Sequence, residues 1–379
     1  MADTSKSNPV PILGFIEDDM YSPTDAFVSK VGGTPNWLHY TQPLNSASVT
    51  CKNCKEPMIL LLQLYAPEDI PAQAYHRVLY LFTCRNGKCH RAGFKESFSV
   101  LRSQLSKENE YYTIQKLSNT SEYDDKENED SYQSETEYSE SETDESYENT
   151  LRPGIIEPKL CIVCGLSGTH SCSKCKNQYY CSKEHQLVDW TLGQHKTNCD
   201  YEILSETEVI TKAKKTPIEG TVIGKPEEDE LDEDSIVEVD KPFLDFQQRI
   251  SHNPTQILRY ARNADYDKDC EPLWVNSFGK PSDDNIPKCE LCGSERTFEF
   301  QVMPQLLNYL NLNHSQKEGI DWGTLLIYTC PKNCETDKEY KKEFIWRQNF
   351  STDGIGNRYA KAAMNMLDES DLGLDTMNI

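Results

Sequence analysis

Apolar positions along this chain gather into short runs set in long polar stretches. Met58 to Tyr65 is one run, interrupted only by Gln63; Arg77 to Cys84 and Phe98 to Arg102 follow. A second group lies far downstream, at Thr297 to Leu307, Gly323 to Cys330 and Phe344 to Arg347. Runs this short, rich in Leu, Phe, Val and Tyr, predict strands rather than helices. The two groups share an order. Each opens on a Cys-x2-Cys turn, continues into a run holding a glutamine and a proline, returns through a run ending in Thr-Cys, and closes on a run that leads to an arginine. Gln63 and Pro67 correspond to Gln301 and Pro304, the second pair being one residue closer together. A unit of about 100 residues that recurs predicts two halves packed as one pseudo-symmetric domain; the alternative is two independent zinc ribbons. Helix signals are few: Ser182 to Leu192, with Ser182 as N-cap, and Ala360 to Leu367 in the tail.

Charge sharpens the boundaries. The chain has 379 residues and a formal charge of −23. Residues 121–150 carry 13 acidic side chains against one lysine, and residues 226–240 carry nine and no base, so everything else sums to −2. The two tracts account for much of the low hydrophobic content, 37%, and of the mean hydropathy of −0.70. Low hydrophobicity with high charge predicts solvated linkers, which a basic partner could also meet. Ser139 and Ser141 each precede an acidic residue three positions on, a setting that suits acidophilic phosphorylation. No basic footprint is present for direct nucleic-acid binding or for a charged membrane surface. Met1 to Val10 is polar, unlike a signal peptide, and no run approaches the roughly 20 apolar residues of a membrane helix. A soluble, intracellular protein is expected.

Fifteen cysteines in such a chain point to metal rather than to disulfides. Cys51-x2-Cys54 precedes Cys84-x4-Cys89, and Cys289-x2-Cys292 precedes Cys330-x3-Cys334. Between them lie Cys161, Cys164, Cys172, Cys175, Cys181, His185, His195 and Cys199. These sixteen residues suffice for four tetrahedral zinc sites, and only Cys270 is left over. Buried, unligated thiols are the alternative for the outer sets. Sites closed by four protein ligands leave no position for an activated water, so the expected role is structural. No P-loop, nucleophile elbow or His-Glu-x-x-His helix is found, and no catalytic residue is assigned. Cys270 follows Asp267 and Asp269, which oppose a thiolate. The expectation is that the protein is not an enzyme.

Residues 161–199, with Cys-x2-Cys twice, then Tyr-Cys-Ser, a following Gln, Asp-Trp and His-x3-Cys, resemble a MYND zinc finger. The resemblance implies interleaved ligation: Cys161, Cys164, Cys181 and His185 on one zinc, and Cys172, Cys175, His195 and Cys199 on the second. His185 stands where that family usually has cysteine. His170 falls off the pattern and is read as a surface residue. By the same resemblance Gln186 and Trp190 match a groove for proline-containing peptides, although Trp190 can equally be packing over the zinc core. Asn313-His314-Ser315 echoes a SET methyltransferase signature but lacks its downstream motifs, and is read as coincidence.

Val31-Gly-Gly-Thr-Pro-Asn-Trp-Leu38 with the upstream Leu13-Gly-Phe15, the Gln63-Leu-Tyr-Ala-Pro67 run, the inserted finger, Phe298 to Leu307, Asp321-Trp-Gly323 and Tyr328-Thr-Cys330 together resemble the programmed cell death protein 2 family. That resemblance implies a dedicated chaperone for a small-subunit ribosomal protein of the universal uS5 family, acting in cytoplasm and nucleus in support of small ribosomal subunit biogenesis. The competing reading is a transcriptional or signalling adaptor that works through its finger. The architecture expected is α+β and β-rich: two zinc-stapled repeat halves form a bipartite domain, with an inserted MYND finger and acidic disordered linkers. The boundaries are 10–118 for the N-terminal half, 119–157 linker, 158–200 finger, 201–242 linker, 243–352 for the C-terminal half, and 353–379 tail.

Overall fold

The computed structural model describes residues 10–17, 25–92, 94–116, 147–199, 240–262, 271–310 and 319–349. Cys270, Ser139, Ser141, Asn313 to Ser315, the tail helix expected at Ala360 to Leu367 and most of both acidic tracts lie outside these residues.

Pro304–Tyr309, at the end of the Thr297 to Leu307 run, turns into a 3-10 helix, and the rest of the apolar runs become strands. In chain order they are β1 (Ile12–Gly14), β2 (Lys30–Val31), β3 (Ile59–Tyr65), β4 (His76–Thr83), β5 (Phe98–Leu105), β6 (Tyr112–Lys116), β7 (Tyr147–Leu151), β8 (His170–Ser171), β9 (Tyr179–Tyr180), β10 (Leu258–Tyr260), β11 (Thr297–Val302), β12 (Thr324–Thr329) and β13 (Lys341–Gln348). Short helices α1 (Gly87–Ala92) and α2 (Phe94–Ser97) join β4 to β5. The finger holds α3 (Lys183–Thr191) and α4 (His195–Asn198), and α5 (Lys241–His252) precedes β10.

Among the described residues nine strands form one antiparallel sheet in the order β1-β10-β11-β12-β13-β5-β4-β3-β2. The two halves therefore share a sheet and are not separate ribbons. They meet where β13 pairs with β5, Lys341 opposite Arg102 and Glu343 opposite Val100. The chain also crosses over: β1, from the N-terminal segment, pairs with β10 of the other half.

The sheet curls strongly. Arg77 on β4 touches Glu299 on β11, although β12, β13 and β5 lie between them. Four strand spacings in a flat sheet would span about 19 Å, beyond the reach of these two side chains. Curling brings Leu61, Leu79, Leu81, Phe98 and Val100 of one half against Phe300, Val302, Leu325, Ile327 and Ile345 of the other. Trp322, fully buried, sets its ring edge-on to Phe98 at 6.1 Å. The opposite face of β4, with Val78, Tyr80 and Phe82, packs on Trp37, Leu38, Leu44 and the finger. All eight residues of β4 and all eight of β5 are buried, as strands covered on both faces must be.

Gln63 and Gln301 act alike. Gln63 Oε1 accepts from Asn36 N at 2.9 Å, and Gln301 Oε1 accepts from Leu273 N at 2.7 Å, so each buried amide pins a backbone segment that has no strand partner of its own.

Three features depart from the sequence reading. Tyr147–Leu151, placed in the acidic linker, pairs as β7 with β6, Tyr112 opposite Leu151 and Lys116 opposite Tyr147. The second linker gives way to α5 at Lys241, where Pro242 opens the helix, Phe243, Phe246 and Ile250 are buried, and the latter two pack against Leu273, Val275 and Met303. And the finger, set between two solvated linkers in the sequence reading, is docked on the N-terminal half.

Candidate metal centres and the seating of the finger

All four Cys-x2-Cys turns use one backbone device. The residue after the second cysteine donates its N–H to the carbonyl of the first: Lys55 to Cys51 at 2.8 Å, Gly165 to Cys161 at 2.8 Å, Lys176 to Cys172 at 3.0 Å and Gly293 to Cys289 at 2.8 Å. Each of these four residues has a left-handed φ between 58 and 70°. The turn aims both sulfurs the same way, and glycine is present at two of the four positions because it adopts this φ without cost.

Each turn meets a second pair of ligands. Cys51 and Cys54 lie before β3 and face Cys84, at the end of β4, and Cys89, on α1. Cys289 and Cys292 lie before β11 and face Cys330, after β12, and Cys334. In the finger, Cys161 and Cys164 gather with Cys181 and His185, while Cys172 and Cys175 gather with His195 and Cys199. Within each cluster all ligand atoms lie within 4.8 Å of one another. His170 is exposed and belongs to none of the four.

The separations fit a tetrahedral ion. Cys54 to Cys84 is 3.5 Å, Cys164 to Cys181 is 3.5 Å, Cys172 to Cys199 is 3.7 Å, and Cys292 to Cys330 and Cys330 to Cys334 are both 3.7 Å, sulfur to sulfur. Cys161 Sγ to His185 Nδ1 and Cys175 Sγ to His195 Nε2 are both 3.6 Å. Four sulfurs at about 2.3 Å from one zinc stand about 3.8 Å apart, and replacing one by nitrogen shortens that edge to about 3.6 Å. A disulfide needs about 2.05 Å, and all fourteen described cysteines are free. Charge competition within a cluster agrees: hydrogen bonding to Cys164 pulls the Cys161 thiol far down, and the same contact pushes Cys164 far up. A divalent cation relieves that competition by holding every thiolate at once.

The two histidines present different nitrogens because they sit differently. His185 is in the first turn of α3, where its N–H is capped by Ser182 Oγ at 3.3 Å and its Nδ1 reaches back to Cys181 Sγ at 3.2 Å. His195 opens α4 and turns Nε2 inward. Tyr180 donates to Asp189 Oδ2 at 2.8 Å and locks α3 against β9. Trp190 is half-buried with its ring edge-on to His195 at 5.7 Å, and Gln186 lies one turn earlier on the same helix face. Beside them Leu187 and Leu192 are exposed.

The finger rests on the N-terminal half through Trp37. Its indole Nε1 donates to the carbonyl of Gly165 at 2.7 Å, and Ser167 N donates to the carbonyl of Leu44 at 2.9 Å. Tyr112 OH holds the Trp37 carbonyl at 3.1 Å. A Cβ on Gly165 would lie 2.8 Å from Thr34 Cβ, so the fit also requires glycine there. Trp37→Phe removes the donor and leaves a buried carbonyl unpaired, at a cost of about 1–3 kcal/mol. Hydrogen exchange should then quicken across 161–199 while the sheet amides keep their protection.

The structure also gathers groups that sequence reasoning did not single out. Glu299 accepts both Nη atoms of Arg77 at 2.6 Å, Tyr260 OH at 3.2 Å, Arg262 Nη1 at 3.4 Å and the Thr329 hydroxyl. Glu343 accepts Arg102 Nε at 2.7 Å and Arg296 Nε at 2.8 Å. Burial pushes Glu299 up, but the charge and hydrogen bonds of Arg77, followed by Arg262 and Thr329, outweigh it and hold the carboxyl at about 2.

The pattern for the N-terminal domain of programmed cell death protein 2 matches residues 11–119, that for its C-terminal domain matches 240–349, and that for the MYND finger matches 161–199. Programmed cell death protein 2 of Bos taurus is 37% identical over 367 residues, covering 89% of this chain and 96% of the relative. The chain belongs to the programmed cell death protein 2 family. Family membership accounts for the order of the parts, since the finger's match falls between the two domain matches. Programmed cell death protein 2-like of Mus musculus is more distant, 26% identical over 81% of this chain and 85% of its own length. A protein of Schizosaccharomyces pombe named probable 20S rRNA accumulation protein 4 is 40% identical over 102 residues, 25% of this chain and 24% of the relative. No solved structure matches the chain.

Proposed function

We propose that this protein is a dedicated chaperone that captures a small-subunit ribosomal protein of the uS5 family and supports small ribosomal subunit biogenesis, in cytoplasm and nucleus. The observation that carries this reading is the relationship to the fission-yeast protein whose name refers to 20S rRNA accumulation. The geometry is compatible. Zinc in all four clusters, each closed by four protein ligands, braces strand ends and the finger without offering a reactive position. The body is then a rigid, non-catalytic scaffold of two related halves, a reading supported by the matched turns before β3 and β11 and by the matched roles of Gln63 and Gln301.

A second reading, an adaptor that grips proline-containing peptides through Gln186 and Trp190, is favoured by the exposed Leu187 and Leu192 beside them. Affinity purification of the full chain separates the two. If the chaperone reading holds, the uS5-family protein is recovered equally with the wild type and with Trp190→Ala. The adaptor reading requires that Trp190→Ala lose the principal partner. Failure of the wild type to enrich a uS5-family protein over an untagged control would sink the chaperone reading.

A further inference from the structure

At the junction of the two halves a cavity of about 420 Å³ opens between the end of β5, the loop that leads to β6 and the turn between Cys334 and β13. Its charges are lopsided. Glu108, Glu110, Glu335 and Asp337 line it against one ammonium, Lys338, which Glu110 already holds at 2.9 Å. Glu108, Glu335 and Asp337 make no ion pair among the described residues.

Two buried side chains in its wall lack what the cavity could bring them. His39 is 1% exposed, and neither of its ring nitrogens has a hydrogen-bond partner. Its ring is hemmed by Tyr111 and Tyr340, both edge-on at 5.9 and 6.2 Å. Burial holds the imidazole at about 4, so at neutral pH one nitrogen is an acceptor. Gln104 is 4% exposed; its Nε2 donates to the Asn333 carbonyl at 3.1 Å, which fixes Oε1 as an acceptor, buried and without a partner. Native interiors leave few such atoms unpaired, and an acceptor-lined, negatively charged recess is short of donors and positive charge.

We propose that this cavity receives an arginine side chain from an extended basic segment of the client protein. A guanidinium carries five donors in a fixed plane with a delocalised charge, a chemistry that matches the rim carboxylates and the unmet acceptors in the wall. The client's basic character rests on the chaperone reading above; the cavity's demand for a cationic donor does not.

Fluorescence anisotropy tests the cavity with the full chain and a labelled Ser-Gly-Arg-Gly-Ser peptide, against the same peptide with citrulline, which keeps the shape and removes the charge. Citrulline should weaken binding about tenfold or more. Glu335→Gln with Asp337→Asn, both exposed sites, should weaken the arginine peptide about as much, and Gln104→Leu should do the same in a variant whose circular dichroism is unchanged. The control pair Glu17→Gln with Glu271→Gln, exposed and outside the cavity, removes equal charge and should leave affinity unaltered. Unsaturable binding, equal affinity for citrulline, an equal loss in the control pair, or free arginine binding as tightly as the peptide each overturns the assignment. Affinity purification with the Glu335→Gln/Asp337→Asn chain keeps the two claims apart. Client lost from this variant alone supports the cavity; client retained by it overturns the cavity and leaves the chaperone standing. Client absent from the wild type overturns the chaperone, while the peptide measurement decides the cavity by itself.

Discussion

Stripping the metal from this protein should unfold the sheet and the finger together. A structural zinc contributes about 10–16 kcal/mol at neutral pH in small zinc-binding peptides, whereas a whole domain is stable by only about 5–15 kcal/mol. The two outer clusters clamp the entry to β3 and the exit of β4, and the entry to β11 and the exit of β12. Without an ion those strand ends would hold four crowded thiols apiece. Plasma mass spectrometry should count about four zinc ions per chain. Excess TPEN should abolish the cooperative thermal transition seen by circular dichroism, and zinc added back under reducing conditions should restore it. Site-directed changes give the finer result: Cys84→Ser should melt the sheet, while Cys172→Ser should unfold the finger and spare β3–β5. A stripped protein that kept its spectrum and its melting temperature would reduce the clusters to buried thiols.

Glu299→Gln should cost about 3–5 kcal/mol, the range for removing one partner of a buried ion pair. The amide keeps the volume but leaves Arg77, fully buried, without its counter-charge, and takes one carboxylate from Arg262, whose Nε also meets Glu68 at 2.5 Å. Urea denaturation at neutral pH measures the loss. The sign of its pH dependence follows from the depressed carboxyl. Ionised Glu299 stabilises the fold fully above the unfolded value of about 4.3, and this contribution is lost as pH falls toward 2. The difference between wild type and variant should therefore be flat from pH 8 to about 5 and shrink only below about 4. A difference that changed between pH 8 and 6 would assign the effect to another group.

The metal chemistry and the main strands are legible in the sequence because both are local. Cys-x2-Cys is a complete turn, and runs such as Leu79 to Phe82 declare a strand whatever they pack on. Arg77, Arg102, Glu299 and Glu343 are a different case. A charged residue in a strand is ordinarily solvated, and what buries these four is a partner 222 or 241 residues away. Trp37 is visible as a motif, but its acceptor, the Gly165 carbonyl, carries no side-chain signal at all. β7 is hidden for a compositional reason: Tyr-Glu-Asn-Thr-Leu lies in an acidic stretch and pairs only because β6 is there to receive it. α5 could have been found, since Pro242 and the spacing of Phe243, Phe246 and Ile250 are ordinary helix signals in a region otherwise dominated by strands. The cavity beside His39 draws on four separate segments, and only folding places them together.

The crossing of β1 to β10, and of β5 to β13, sets an order in time. As the chain leaves the ribosome, β1 to β5 emerge first, and the finger follows with all eight of its ligands inside one short segment. It can cover the Tyr80 face of β4 early, whereas the Leu79 face and the free edge of β5 must wait for strands that are synthesised last. A chain interrupted before Lys341 would hold Arg102 without Glu343 and an open edge able to pair with other chains. Completion of synthesis is then what separates a sound copy from an aggregation-prone one.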